Sequence, residues 1–194
     1  MSVLENLITD RTQADADRAR ALCAKGIGNM TADELLEFCS PMKGAYNYTD
    51  MNRVESAVSY LSTLLVQAPT DLRQYASDRG VAWDDIYDVP YDPSDYSSIT
   101  VKTDWANGDT PTYAQRARYI SNLKLIRSAI DSGSPTQIPD NMDQLTYSSA
   151  NDIEQMLIDT GVALAALIEN REGMIRSALA VYYSGEIYSG EGEA

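Results

Sequence analysis

The chain has 194 residues, of which 44% are hydrophobic and 23% are charged, a composition typical of a folded globular protein. Its 29 acidic residues outnumber the 15 Lys and Arg residues, and the net charge of −14 argues against non-specific nucleic-acid binding, which needs a basic surface. Because the chain contains no histidine, it cannot form histidine-based catalytic triads, histidine-liganded metal sites or a histidine pH switch.

The first residues predict no targeting segment. Residues 1–13 lack a basic region followed by an apolar one, so we expect no signal peptide. No run approaches the roughly 18 apolar residues that a spanning helix needs, so we expect no membrane partner. Cys23 and Cys39 fall on predicted apolar helix faces, which favours buried free thiols over a disulfide.

The chain divides into five predicted segments. Residues 1–11 form an N-terminal arm with a short apolar patch, and residues 12–80 form a first helical hairpin. An acidic loop rich in Tyr and Pro follows at 81–109. A second helical hairpin is predicted at 110–175, and a tail rich in Ser-Gly-Glu completes the sequence at 176–194.

Capping patterns locate the helices of the first hairpin. Thr12 is the predicted N-cap of the first helix, and the Ser/Thr-x-x-Glu pattern at 31–34 opens a second, short helix. Thr49 is the predicted N-cap of a long amphipathic helix, which we expect to end at Pro69. A further short helix is predicted at 71–79.

The second half shows similar signals. Residues 83–98 contain five Asp, three Tyr and two Pro in sixteen positions and predict a loop, while 99–103 could form a short strand. Thr110, followed by Pro, is the predicted cap of the third long helix, and Ser148 is the predicted cap of the fourth. The tail, with Tyr-Ser-Gly-Glu twice in tandem, predicts a short β or extended segment.

Two passages recur in the same order and with nearly equal offsets. The first is Thr12–Arg20, which aligns with Thr110–Arg118, and the second is Tyr-Thr-x-x-Asn-x-Val-Glu at 48–55, which returns as Tyr-Ser-x-x-Asn-x-Ile-Glu at 147–154. The recurrence predicts a duplicated helical hairpin. Because one hairpin cannot bury its own apolar face, we predict a mostly α fold with a four-helix bundle-like core and pseudo-twofold symmetry.

The recurring polar residues have two interpretations. Asn52 and Asn151 occupy the fourth position counted from the predicted caps, where an amide can reach back to the cap backbone. Glu55 and Glu154 lie one turn later, near the positive end of the helix. Local capping is the favoured interpretation, and a shared functional site at both places is the alternative.

The sequence contains no recognisable catalytic motif. It has neither a phosphate-binding loop nor a nucleophile elbow, and a cysteine nucleophile would lack a histidine base. We therefore predict no enzymatic activity, no cofactor and no small-molecule substrate. The acidic loop lacks EF-hand spacing, so a solvated loop is favoured over a cation site made by Asp84, Asp85, Asp88, Asp92 and Asp95.

Tyrosines cluster in the loop and the tail, which are too polar to be an ordinary core. Tyrosine is enriched at interfaces because it combines apolar area with a polar tip. Local packing against the bundle is the alternative. The residues predicted to make protein–protein contacts are Tyr87, Tyr91, Tyr96, Tyr182, Tyr183 and Tyr188.

Several passages resemble a family of small proteins and domains from phages and prophages of Gram-positive bacteria. The resemblance spans about residues 9–191, and its most specific parts are GAYNYTDMNRVE and the SGE-rich tail, whereas the loop 81–98 is least like the family. The passages are TDRTQADADRAR (9–20), MKGAYNYTDMNRVESAVSYL (42–61), KTDW (102–105), PDNMDQLTYSSANDIEQML (139–157) and YYSGEIYSGE (182–191).

The resemblance implies a virion structural protein of the tail, baseplate or neck, assembled in the host bacterial cytoplasm. It implies a homo-oligomer that docks other virion proteins, among them fibre or receptor-binding modules. Two other classes stay open. One is a soluble acidic inhibitor or adaptor that binds a basic host partner, and the other is a glycan- or host-binding module using Trp83 and Trp105 as exposed rings.

Overall fold

The computed structural model describes residues 3–81, 89–143 and 145–188, with the backbone alone from residue 180 onward. This part of the chain is mostly helical and contains no strand, which confirms the predicted mostly α, bundle-like class. Short 3-10 helices lie at Val3–Asn6 and Ile27–Asn29. The α-helices are α1 (Gln13–Lys25), α2 (Ala32–Cys39), α3 (Tyr48–Ser77), α4 (Ser94–Ser97), α5 (Tyr113–Ala129) and α6 (Tyr147–Tyr188).

The core is formed mainly by α3, α5 and α6. Each of these helices buries a stripe of apolar side chains at spacings of three and four residues, and each fully buried Leu or Ile contributes about 1.5–3 kcal/mol. No helix in the described part of the chain is both long and apolar enough to cross a bilayer. The fully buried members of the stripe include Leu61, Leu65, Leu123, Ile126, Ile153, Met156 and Leu157.

The two longest helices, α3 and α6, pack in parallel and in register. Near their N-terminal ends, Arg53 of α3 donates to Glu154 of α6, and near their C-terminal ends Arg176 of α6 donates to the Tyr75 hydroxyl of α3 at 3.0 Å. Both pairs span 101 residues, close to the spacing of the sequence repeat. The two helices therefore run side by side with a nearly constant register of 101 residues.

The helices α1 and α2 pack on each other beside this core. Arg18 of α1 pairs with Glu37 of α2 at 2.6 Å, and Lys25 pairs with Glu34 at 2.5 Å. The buried residues of α1, Ala19 and Leu22, belong to neither of the two core clusters found among the described residues. The halves are thus unequal, since α5 packs into the core whereas α1 packs on α2.

The helix α3 continues through Pro69, so the predicted break at this residue and the separate helix at 71–79 are wrong. The proline removes one backbone hydrogen bond, but the apolar stripe continues past it through Leu72 and Ala76. Both residues pack against Ile175 of α6. Tertiary packing therefore outweighs the local cost of the proline.

The predicted β or extended tail is wrong as far as Tyr188, because α6 is a single helix of 42 residues. The predicted boundary at 175/176 falls inside this helix, where Ile175 is fully buried against α3. Residues 174–180 include the strong helix formers Met, Arg, Leu and Ala and contain neither Gly nor Pro, so nothing in their sequence stops the helix. Residues 189–194 lie outside the described part.

Two smaller predictions also fail. The predicted strand at 99–103 is extended but pairs with no other strand; its neighbours are helix side chains, and Asn122 donates to the Thr100 carbonyl at 2.9 Å. Cys23 and Cys39 are free thiols as expected, but both are exposed and not buried. The two helices bury little of their surface, since α1 buries only Ala19 and Leu22 and α2 buries no residue.

Gly44 provides a test of close packing between the loop before α3 and α1. A Cβ atom at this position would lie 1.9 Å from the carbonyl oxygen of Asp15, a backbone atom that cannot rotate away. We expect Gly44→Ala to lower the free energy of unfolding by about 2 kcal/mol or more in urea titrations. Gly28→Ala is the control, because a Cβ there meets nothing within 4 Å. Equal effects of the two changes would contradict the packing argument.

Glu34 provides a test of the α1–α2 contact. The hydrogen bond from Lys25, helped by the backbone N–H of Thr31, lowers the pKa of Glu34 from 4.5 to about 2. Because the folded-state pKa is the lower one, this stabilisation is complete above about pH 4.5 and is lost as the pH falls towards 2. An NMR titration of the Glu34 carboxyl carbon should have its midpoint near that lower pKa.

Replacing Lys25 by Gln should move the Glu34 midpoint back towards 4.5, since the largest cause of the lowered pKa is gone. Lys124→Gln is the control, because Lys124 pairs with Asp140 far along the chain. A midpoint that stays the same in the Lys25 variant would show that this pair does not hold the two helices together.

Candidate functional site

A half-buried Asn and a buried Glu on α6 hold the segment that precedes α1. The Asn151 side chain accepts a hydrogen bond from the Arg11 backbone N–H at 3.1 Å and donates one to the Arg11 carbonyl at 2.9 Å. Glu154 accepts from the backbone N–H of Ile8 at 2.5 Å. The pair therefore binds backbone groups that lie three residues apart on an extended chain. We call Asn151 and Glu154 the arm clamp.

The corresponding pair on α3 holds the segment that precedes α5 in the same way. The Asn52 side chain accepts from the Trp105 backbone N–H at 2.8 Å and donates to the Trp105 carbonyl at 2.9 Å. Glu55 accepts from the backbone N–H of Lys102 at 2.6 Å. We call Asn52 and Glu55 the loop clamp. Each half of the chain thus holds a segment of the other half.

The two held segments share a short sequence that lies outside the two recurring passages described above. The arm clamp holds Ile-Thr-Asp-Arg at 8–11, and the loop clamp holds Lys-Thr-Asp-Trp at 102–105. Ile8 and Lys102, whose backbone N–H groups bind the two glutamates, are 94 residues apart in the sequence (102 − 8). The two asparagines, Asn52 and Asn151, are 99 residues apart. This difference hides the relationship, and the shared Thr-Asp is the only signal in the sequence that could have shown it.

The carboxylate of the arm clamp belongs to a cluster of two guanidinium groups and two carboxylates. Arg11 donates to Asp50 at 2.8 Å and to Glu154 at 2.6 Å, and Arg53 donates to the same two carboxylates. Arg11 is 4% exposed and Glu154 is fully buried. Burial by itself would lower the pKa of Arg11, but the adjacent carboxylates outweigh it and raise that pKa, as they do for Arg53. The two guanidinium groups therefore stay charged beside their carboxylate partners.

The carboxylates of both clamps are saturated. Glu55 accepts from Arg118 with both oxygens at 3.0 Å, and it also accepts from the indole N–H of Trp105 at 3.2 Å and from the Lys102 backbone. Each oxygen of Glu55 therefore has two donors, and each oxygen of Glu154 likewise has two. A carboxylate with all its acceptor sites occupied by the chain itself is a structural group.

A pair of tyrosines connects the arm clamp to α5. Arg11 lies over the Tyr46 ring at 5.9 Å, and the Tyr46 hydroxyl is hydrogen-bonded to the hydroxyl of Tyr119, a buried residue of α5. Loss of hydration raises the pKa of both phenols. The arm clamp is thus fixed to all three core helices.

The predicted local role of Asn52, Asn151, Glu55 and Glu154 is wrong. None of these side chains reaches back to its own cap; each binds backbone more than 45 residues away in the sequence. The alternative, a site that recurs at both places, matches the geometry better, although the ligand is the chain itself. A single sequence contains the repeated pair but does not show what each pair contacts.

Of the predicted caps, Thr12 does cap α1, in a capping box with Asp15. The prediction for Thr49 is wrong, because Asn47 caps α3 and Asp50 completes its capping box. The pattern Asn-x-x-Asp at 47–50 was the better signal, since an acidic residue at the third helical position can bond back to the cap backbone.

The other two predicted caps are also displaced by two residues. The prediction of Thr110 is wrong because Thr112 caps α5 and forms a capping box with Gln115. The prediction of Ser148 is wrong because the Thr146 hydroxyl accepts the N–H of Ser149 at 3.1 Å. In both cases the residue that caps the helix is a threonine whose hydroxyl accepts the backbone N–H three residues later, Gln115 for Thr112 and Ser149 for Thr146.

The predicted interface tyrosines are only partly described. Tyr96 is buried and packs edge to face on the half-buried Tyr91, with ring centroids 5.6 Å apart, so local packing replaces the predicted interface role of both. Burial also raises the pKa of Tyr91 to about 12. Tyr87 lies outside the described residues, as do the side chains of the predicted tail tyrosines, namely Tyr182, Tyr183 and Tyr188.

The other candidate binding residues give a similar result. Trp105 is buried beneath the Lys102 ammonium group at 4.6 Å, so it is not an exposed ring for a glycan, and Trp83 lies outside the described residues. Asp92 accepts the N–H of Ser94 within its own turn. Three of the acidic-loop residues, Asp84, Asp85 and Asp88, lie outside the described part, and in the rest no group of three Cys, Asp or Glu side chains could hold a metal ion.

No protein-family model matches the chain, and neither a curated protein nor a solved structure matches it at a significant level.

Removing one amide should measure the strength of a clamp. Asn151→Ala and Asn52→Ala each leave a backbone N–H and a carbonyl without their partner, so we expect each to lower the free energy of unfolding by about 2–4 kcal/mol. Urea titration measures the change, and Asn170→Ala, at an exposed position of α6, should stay within about 0.5 kcal/mol of the parent. A clamp variant as stable as this control would refute the buried role.

Removing the charge of Glu154 should lower the free energy of unfolding more than removing an amide does. Glu154→Gln places an amide N–H₂ group against the guanidinium groups of Arg11 and Arg53, so we expect a loss of about 3–5 kcal/mol. Glu172→Gln, in a surface pair with Arg176, should cost less than about 1 kcal/mol. Similar losses in the two variants would mean that the buried cluster contributes no more than an exposed ion pair.

Proposed function

We propose that this protein is a non-enzymatic structural component of a phage virion, assembled in the host bacterial cytoplasm. In this proposal it belongs to the tail, baseplate or neck, where it oligomerises and docks other virion proteins, including fibre or receptor-binding attachments. The resemblance of residues 9–191 to phage and prophage proteins motivates the proposal. The geometry of the chain supports it independently.

The saturation of Glu55 and Glu154 is the observation that carries the proposal. These are the buried carboxylates that recur in the sequence, and every oxygen of both already accepts two hydrogen bonds from the chain. Their chemistry holds segments together and leaves no acceptor site for a substrate. This use of buried charge suits a structural protein that must keep one conformation in an assembly.

The projecting end of α6 supports docking to neighbours. By the 101-residue register, Ser77 at the end of α3 lies level with residue 178 of α6, which continues to Tyr188. The helix therefore extends about ten residues, or about 15 Å, beyond its partner. In this proposal the last turns of α6 make the contact with another subunit.

Proteomics of the purified particle tests the proposal. We expect the chain in particles at a fixed copy number per virion, above the level of carried-over host proteins. Purified protein should form an assembly of defined mass in light-scattering measurements. Absence from the particle together with a strictly monomeric state in solution would defeat the proposal.

A second candidate is a soluble acidic inhibitor or adaptor that binds a basic host partner. The net charge of −14 favours it, because a surplus of carboxylates attracts cationic surfaces. A pull-down from host lysate should then recover one basic protein, and salt should weaken the complex. Recovery of no such partner, with the chain present in particles, would decide for the virion role.

A further inference from the structure

The N-terminal unit, which we define as residues 3–39, is a self-contained piece of the fold. Its two α-helices are joined by the ion pairs of Arg18 with Glu37 and of Lys25 with Glu34. Its apolar side chains in the larger core cluster are Val3, Leu4 and Leu7, near its start, and the buried side chain of Arg11 joins it to Asp50 and Glu154. The unit could therefore move without opening the core formed by α3, α5 and α6.

The unit is attached to the body largely by the arm clamp. Asn151 and Glu154 bind the backbone of residues 8–11, so they fit the same segment from any copy of the chain. At Gly161 of α6 the missing Cβ makes room for the unit, since a Cβ there would lie 2.3 Å from Leu4. These contacts depend on the sequence of the segment and not on its covalent connection to the body.

The connection between the unit and the body is short. Residues 40–42 join the end of α2 to the turn before α3, and both Ser40 and Pro41 are exposed. Ser40 is extended, with a ψ of 157°, as expected before a proline. A short, stiff hinge favours exchange between copies, because opening it relieves the constraint of folding back on the same chain.

We propose that two copies of this chain exchange their N-terminal units, so that residues 8–11 of each copy lie in the arm clamp of the other. The segment at residues 102–105 has no such freedom, because the chain on either side of it is packed in the core, through Tyr96 of α4 and Tyr119 of α5. The exchange rests on the assembly role proposed above, for which it supplies a joint between subunits.

Isotope mixing tests the exchange with the full chain. In a background with Cys23 and Cys39 replaced by Ser, Leu4→Cys and Gly161→Cys place two thiols where the unit meets α6. Equal amounts of ¹⁴N- and ¹⁵N-labelled protein are unfolded together, refolded and oxidised, and the disulfide-linked peptides are analysed by mass spectrometry. If the units exchange, about half of the disulfide-linked peptide pairs should join a ¹⁴N peptide to a ¹⁵N peptide.

A second cysteine pair serves as the control. Ala76→Cys and Ala178→Cys lie together between α3 and α6, which stay in one body in either arrangement. Linked peptides from this pair should contain a single isotope. If the Leu4–Gly161 peptides also contain a single isotope while the protein still forms an assembly, the exchange is overturned and the virion role survives through another surface.

A lengthened hinge tests the proposal without crosslinking. Inserting a flexible Gly-Ser segment of about six residues after Ser40 removes the restriction of the short link and favours the arrangement in which the unit folds back on its own body. Light scattering should then show the mass fall from twice 21.3 kDa to a single chain. The same insertion after Gly133, in the link between α5 and α6, should leave the doubled mass unchanged. A parent protein of single-chain mass, or equal masses for both insertions, would overturn the exchange.

Discussion

The fold depends on one kind of interaction, the capture of an extended backbone segment by an Asn and a Glu that stand one turn apart on a helix. Elsewhere an extended segment usually satisfies its backbone groups in a sheet. Here helix side chains supply the partners, so the segments before α1 and α5 stay extended without any strand beside them. The rest of the described structure brings these two segments to their clamps.

The parallel arrangement of α3 and α6 explains why two clamps are needed. Parallel helices in register require a long return connection, and the chain between Ser77 and Tyr147 travels back along the bundle. That return contains the loop clamp's segment and α5. Since the halves hold each other's segments, neither half can complete its buried hydrogen bonds alone, and the two become one cooperative unit.

The charge cluster of the arm clamp is stable only because it is complete. The buried guanidinium group of Arg11 and the half-buried one of Arg53 meet two buried carboxylates, and an unpaired member would cost several kcal/mol. The N-terminal ends of α3 and α6 lie side by side there, so their positive helix ends add to the charge that the carboxylates offset. Asp50 serves twice, as the capping-box acid of α3 and as a partner of Arg11.

Sequence reasoning was strongest where a short-range rule decides the outcome. Helix periodicity predicted the mostly α class, and the Thr12 cap followed from its own neighbours. It was weaker where distant packing overrides a local signal, as at Pro69 and in the tail that continues α6. The clamps were the hardest part, because Asn52 and Asn151 were visible as a repeat while their partners were hidden by a different offset.

The separation along the chain of each clamp from its segment sets an order of events during synthesis. The loop clamp closes over 53 residues or fewer, so it can form soon after Trp105 leaves the ribosome. The arm clamp closes over 140 to 146 residues, and at about 5–20 residues per second its segment waits many seconds for α6. During that interval the nascent N-terminal segment is complete, but the arm clamp of its own chain has not yet been synthesised. On a polysome, the first arm clamp that this segment can meet therefore belongs to a finished neighbouring chain.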